Sequence, residues 1–208
     1  MRKGFTLIEL MIVIAIIAIN AANAIPNLLE SRITSQESAA AAALKSGILP
    51  AEVQFQSGGY IDADSNGVGC YAVSGASGLS TSPYDQMCGN VTVGNGINLH
   101  LLAPSYQGST PLISGYRFSN PACASSGVVP TSTADGVAEQ TWAVLTYPTD
   151  NTSGRKAFAI NQAGMIYQTK PSNTAYTTFN AVSPLHTDLF ETSCQGQPAS
   201  ATWVPYAK

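Results

Sequence analysis

Glu9 is the one charged side chain between Phe5 and Ile25, in the run FTLIELMIVIAIIAINAANAI. A carboxylate placed in so apolar a stretch is costly unless a cation or a polar boundary meets it, so ion pairing is its chemistry. Other spacings are weaker. Ser153-Gly154-Arg155-Lys156 has the S-x-x-K spacing of a Ser–Lys nucleophile pair, but Asp150-Asn151-Thr152 before it makes a turn, not a helix. His100, between leucines in an expected strand, reads as a half-buried packing residue, and His186 lies in an expected loop. The chain lacks a Walker loop, H-E-x-x-H and G-x-S-x-G, so no enzyme is expected. Asp62-Ala63-Asp64-Ser65-Asn66-Gly67 has the alternating oxygens and glycine of half a calcium loop. Its twelfth position is Val73 where a bidentate Glu belongs, so an Asx-rich turn is favoured over calcium and no cofactor is expected.

The element that positions Glu9 is an apolar helix. Phe5–Ile25 is 21 residues, and about 20 span a hydrocarbon core. Arg2 and Lys3 precede it, which places the N-terminus in the cytoplasm and the bulk of the chain outside. Asn20 and Asn23 interrupt the apolar run, and Pro26 is expected to end or kink it. A secretory signal peptide cut after Ala22-Asn23-Ala24 is the rival reading, but a disposable signal has no use for Glu9.

Gly4-Phe5-Thr6-Leu7-Ile8-Glu9-Leu10 after a short basic leader resembles the class III signal of type IV pilins and type II secretion pseudopilins. Ala24-Ile25-Pro26-Asn27-Leu28-Leu29 resembles the same family, and the likeness covers about residues 1–45. The resemblance implies cleavage after Gly4 by a prepilin peptidase, N-methylation of Phe5, and pairing of Glu9 with the Phe5 amine of a neighbouring subunit. Such pairing neutralises two charges that are each expensive in lipid. Asn20 and Asn23 depart from the family, where these positions are usually apolar or glycine. They are expected to favour local unwinding between about Ala18 and Pro26 in the assembled fibre, or to bond across helices.

After Pro26 the pattern turns amphipathic. Leu29, Ile33, Ala40, Leu44, Ile48, Ala51 and Phe55 recur at helical spacing, and Glu30, Arg32, Glu37, Lys45 and Glu52 mark the polar side. Gly47 and Pro50 weaken the end and Gly58-Gly59 stops it. The expected organisation is a leader (1–4), a helix (5–57, with 5–25 transmembrane) and a β-rich head (58–208). The fold class is α+β, a long helix packed on an antiparallel sheet. Expected strands are Val68–Val73, Ile97–Leu102, Tyr116–Ser119, Thr141–Tyr147, Ala157–Asn161 and Met165–Thr169, with Gln162-Ala163-Gly164 as a hairpin loop. After Pro171 a loop with one or two short strands is expected.

Cys70, Cys88, Cys123 and Cys194 all lie in the head. An even count in an exported domain predicts two disulfides, with Cys70–Cys88 and Cys123–Cys194 favoured among three connectivities. Without a C-x-x-C, zinc is not expected. Charged residues make up only 10% of the 208 residues, against an average near ~25%. The membrane segment does not account for this, because the head itself is rich in Ser, Thr, Asn and Gly. A formal charge of −3 argues against nucleic acid as a partner.

The reading that unites these features is a structural subunit of a type IV pilus-like filament. It would wait as a single-pass inner-membrane protein and be assembled by an ATPase and a platform protein, as the resemblance implies, into a homo-oligomeric extracellular pilus. A type II secretion pseudopilin and a secreted binding module freed at Ala24 are the alternatives.

Overall fold

The computed structural model describes residues 5–62, 65–73, 82–90, 92–93, 96–119, 139, 142–150, 152–169 and 204–206. Helix α1 (Leu7–Ala42) passes without a break into a π-helical turn (Ala43–Ile48) and then into α2 (Leu49–Ser57). Together they form a 51-residue rod, about 75 Å long at the usual rise. The rod does not end at Pro26, which corrects that part of the expectation. Proline removes one ladder donor, while in the same turn the Asn27 side-chain amide donates to the Asn23 carbonyl at 3.1 Å.

The strain expected at Gly47 and Pro50 takes the form of the π turn. There the Leu49 N–H reaches back five residues to the Leu44 carbonyl. In a straight helix the Pro50 ring would press on the Ser46 carbonyl, and the wider turn relieves that contact. Gly47 has a second reason to be glycine: a Cβ there would stand 3.0 Å from the Tyr106 hydroxyl. Gly58-Gly59 closes the rod as expected, with Gly59 at φ 59°.

The sheet is antiparallel with its strands in chain order. They are β1 (Leu112–Ile113), β2 (Tyr116–Phe118), β3 (Ala143–Pro148), β4 (Ala157–Asn161), β5 (Ile166–Thr169) and β6 (Val204–Pro205). Ser114 and Gly115, both at positive φ, make the two-residue turn that suits the twist of the β1–β2 hairpin. Gly164 has φ 69° in the β4–β5 turn, as the sequence implied. Among the described residues a short helix, α3 (Pro83–Met87), and a 3-10 turn (Pro104–Tyr106) precede the sheet. The α+β architecture is the one expected.

Two expected strands are not strands. The Cys70 N–H donates to the Ile61 carbonyl and the Ala72 N–H to the Glu52 carboxylate, so Val68–Val73 is held by local partners rather than a ladder. Ile97–Leu102 has a single bridge, Val93 to Ile97, because Leu101 and Leu102 both donate to the Met87 carbonyl. His100 is consequently exposed outside any strand rather than half-buried within one.

The rod buries Ala40, Leu44, Ile48, Ala51 and Phe55 in a core that also holds Tyr116, Phe118, Val144, Phe158 and Ile160, and it buries Ile33 lower down. A second cluster holds Ala143, Leu145, Tyr147, Ala157, Ala159 and Tyr167, so β3 and β4 are buried on both faces. Glu52 was expected on the polar side but is fully buried. It follows Ile48 by four residues and precedes Phe55 by three, which places it on the apolar face.

Candidate functional site

Every residue from Phe5 to Arg32 is exposed, although most of the first 25 of these are apolar. Leu28 is 73% and Leu29 41% exposed, whereas Ile33, one turn on, is 3% exposed. The head therefore begins to cover the helix within one turn, between Leu29 and Ile33. Below that line stands a bare apolar rod, long and apolar enough to cross a membrane. It is the feature that most needs a partner.

Glu9 is engaged at the start of the rod. Its carboxylate accepts the Thr6 N–H at 2.9 Å and the Thr6 hydroxyl at 2.6 Å, while Thr6 Oγ1 accepts the Glu9 N–H at 3.3 Å. This is a capping box, in which side chains three residues apart satisfy two orphan donors of a helix start. It was not among the expected features, although Thr6-Leu7-Ile8-Glu9 carries the T-x-x-E signal. Glu9 thus has a partner in its own chain before any neighbour supplies one. Gly4 lies outside the described residues; Phe5 is exposed and Pro26 lies within α1.

Where stem meets head, the β3–β4 turn grips the helix. Arg155 forms a fork on Glu30, Nη2 to Oε2 at 2.8 Å and Nη1 to Oε1 at 3.1 Å. The Arg155 N–H donates to Glu37 Oε1 at 2.9 Å, and the Lys156 ammonium lies 3.8 Å from Glu37 Oε2. Glu30, Ile33 and Glu37 share one helix face, so the S-x-x-K segment serves as a clamp. Its Ser153 hydroxyl meets Thr149 Oγ1 at 3.2 Å, and its Lys156 faces Glu37. Farther along, the Lys45 ammonium donates to the Gly164 carbonyl at 2.6 Å. It borders a 430 Å³ cleft lined by Ala41, Ala42, Ile166 and Tyr206.

Inside the head, Glu52 Oε2 accepts the Ala72 N–H at 2.9 Å, and Oε1 has no hydrogen-bond partner among the described residues. Burial pushes this carboxyl well above the usual carboxylate range, and the Ala72 bond opposes only part of that. Burial also raises the Tyr84 hydroxyl, followed by the Glu52 charge. Tyr84 donates to the Ser119 carbonyl at 2.7 Å.

Of the calcium candidates, Asp62 and Asn66 are described, while Asp64 lies outside the described residues. Asp62 Oδ1 accepts the Asn66 N–H at 3.1 Å and Oδ2 the Gly67 N–H at 2.9 Å. Asn66 Oδ1 accepts the Val68 N–H at 2.7 Å, which is Asx-turn bonding. Among the described residues no group of three His, Cys, Asp or Glu is placed to hold a metal. Cys70 and Cys88 are buried in the same core and are not bonded to each other. Cys88 Sγ lies 3.2 Å from the Ala103 carbonyl as donor, and burial pushes its thiol up to about 11. Cys123 and Cys194 lie outside the described residues.

Residues 1–19 match the family model of the prokaryotic N-terminal methylation motif. This is the class III signal of type IV pilins and pseudopilins. The chain therefore carries the signature of a pilin-like or pseudopilin precursor on the rod that its own head leaves bare. No curated protein and no solved structure matches the chain.

Proposed function

We propose that this protein is the structural subunit of a type IV pilus-like filament. The observation that carries this reading is the conjunction of the methylation motif with an uncovered apolar stem from Phe5 to Leu29. A prepilin peptidase cuts after Gly4 and Phe5 is methylated. The subunit waits in the inner membrane with its head outside. An assembly ATPase and a platform protein then move it into a homo-oligomeric fibre on the cell surface. Stems pack in the fibre core, and the mature Phe5 amine takes the Glu9 carboxylate of a neighbour from Thr6. The head, poor in charge, forms the coat, where few like charges accumulate along the repeat.

Disulfides Cys70–Cys88 and Cys123–Cys194 belong to the same reading of an exported head. Formation of the first requires Cys88 to leave the Ala103 carbonyl. Mass-spectrometric mapping of disulfide-linked peptides from the unreduced protein tests both.

The deciding experiment is N-terminal sequencing and mass spectrometry of the mature chain, together with shearing of cells. N-methyl-Phe5 in abundant sheared fibres is expected. Ile25 as first residue would overturn the reading, and N-methyl-Phe5 without surface fibres would transfer the protein to the pseudopilins.

A further inference from the structure

The head–stem junction has a position relative to a bilayer that its residues define. Glu30 stands five residues beyond Ile25, ~7.5 Å along the axis at the helical rise. The polar layer outside a hydrocarbon core is roughly 5–8 Å thick on each side. A stem spanning with Phe5–Ile25 therefore places Glu30, and the Arg155 fork upon it, at the level of lipid headgroups. Ile25 and Leu28 are 66% and 73% exposed, and only Asn27 and Pro26 separate them. These uncovered apolar side chains draw the junction down toward the bilayer, not away from it. Arg32 is exposed on the flank of the helix, and Arg155 keeps 60% of its side chain open while holding Glu30. A guanidinium carries five N–H donors, so Arg155 has donors beyond the two on Glu30 to offer a phosphate oxygen, and long basic side chains reach for phosphates at this depth.

We propose that, before assembly, this junction is a lipid-binding collar: Arg32 and Arg155 donate to phospholipid phosphates of the outer leaflet and seat the head on the bilayer through the β3–β4 turn. The inference rests on the membrane-anchored reading above. It gives that state a defined head orientation, with the Arg155 end of the sheet against lipid and the Gly164 turn away from it. The internal ruler is Lys45, which holds Gly164 and lies ~22 Å farther along the rod than Glu30 at the same rise.

The test uses the full chain, isotopically labelled, at one copy per nanodisc of phosphatidylethanolamine and phosphatidylglycerol. Paramagnetic lipids carry the probe either on the headgroup or on the acyl chain. The headgroup probe is expected to abolish the Gly154 and Arg155 amide signals and to leave Gly164 intact. In the variant R32Q/R155Q those two signals should return while the stem stays inserted. Retained Gly154 and Arg155 signals in the wild type, with stem signals lost to the acyl-chain probe, would overturn the collar alone. Persistent loss in R32Q/R155Q would overturn the role of the two arginines. A stem untouched by the acyl-chain probe would overturn the membrane reading itself.

Discussion

Thr6 and Glu9 cap each other: the carboxylate takes the Thr6 N–H and hydroxyl, and the hydroxyl takes the Glu9 N–H. Glu9 therefore has two separable tasks, holding its own helix start and, in the proposed filament, neutralising a neighbour's amine. Glutamine performs the first, because the box accepts Glu or Gln, but brings no charge to the second. E9Q should keep the stem helical by circular dichroism in detergent and yet yield few or no sheared fibres. T6A should lose about 1 kcal/mol of capping and still assemble. Normal fibres from E9Q would remove charge pairing from the account of assembly.

Gly47 lies where the π turn meets Tyr106. A Cβ at this position would stand 3.0 Å from the Tyr106 hydroxyl. Replacing Gly by Ala inside a helix is otherwise worth up to about 1 kcal/mol, whereas overpacking a core contact costs roughly 1–3 kcal/mol. G47A should therefore be destabilising in the wild type and neutral or stabilising in a Y106F background, where the hydroxyl is gone. Urea unfolding of the four proteins of this cycle measures the coupling. Equal effects of G47A in both backgrounds would show that the contact does not govern the site.

The long helix and four of the strands were legible because they rest on local signals. Ile33, Leu44, Ile48 and Phe55 repeat at helical spacing, Gly58-Gly59 stops the rod, and the Gly164 turn separates two short apolar runs. Val68–Val73 and Ile97–Leu102 have the same apolar character, but their backbone donors go to Glu52 and Met87. A strand needs a partner edge, and no property of six residues tells whether one is available. The apolar stem and its methylation motif were legible in the run that starts at Phe5, while the clamp of Arg155 and Lys156 on Glu30 and Glu37 was not. It joins positions more than a hundred residues apart in sequence. The capping box is visible in Thr6-Leu7-Ile8-Glu9 as T-x-x-E, but the apolar run around it masks that signal.

The Asp62 turn yields a prediction about calcium. Both Asp62 oxygens accept backbone N–H groups, and Asn66 Oδ1 accepts a third. A cation at these oxygens competes with bonds that already hold the turn. Thermal unfolding in calcium and in EDTA should give the same midpoint. D62A should cost about 1–3 kcal/mol, because it strips acceptors from Asn66 and Gly67. A midpoint raised by calcium, and a D62A variant that no longer responds to it, would make the turn a calcium site after all.

Glu52 links stability to pH with a definite sign. Its folded carboxyl titrates well above the ordinary carboxylate range because it is buried. Between the ordinary value and the raised one, the native state binds a proton that the unfolded state has lost. Stability therefore falls as pH rises through this window, by at most about 1.4 kcal/mol per pH unit from this one group. Below the ordinary carboxylate value the contribution is fully present; above the raised value it is gone. Ionisation also leaves Oε1, which has no hydrogen-bond partner among the described residues, carrying charge in the core. E52Q can still accept the Ala72 N–H but does not titrate. Urea unfolding in detergent from pH 4 to pH 9 should thus show a falling slope in the wild type and a flatter one in E52Q, the two curves diverging as pH rises. Parallel curves would mean that Glu52 is solvated in the native protein and that its burial does not set the pH response.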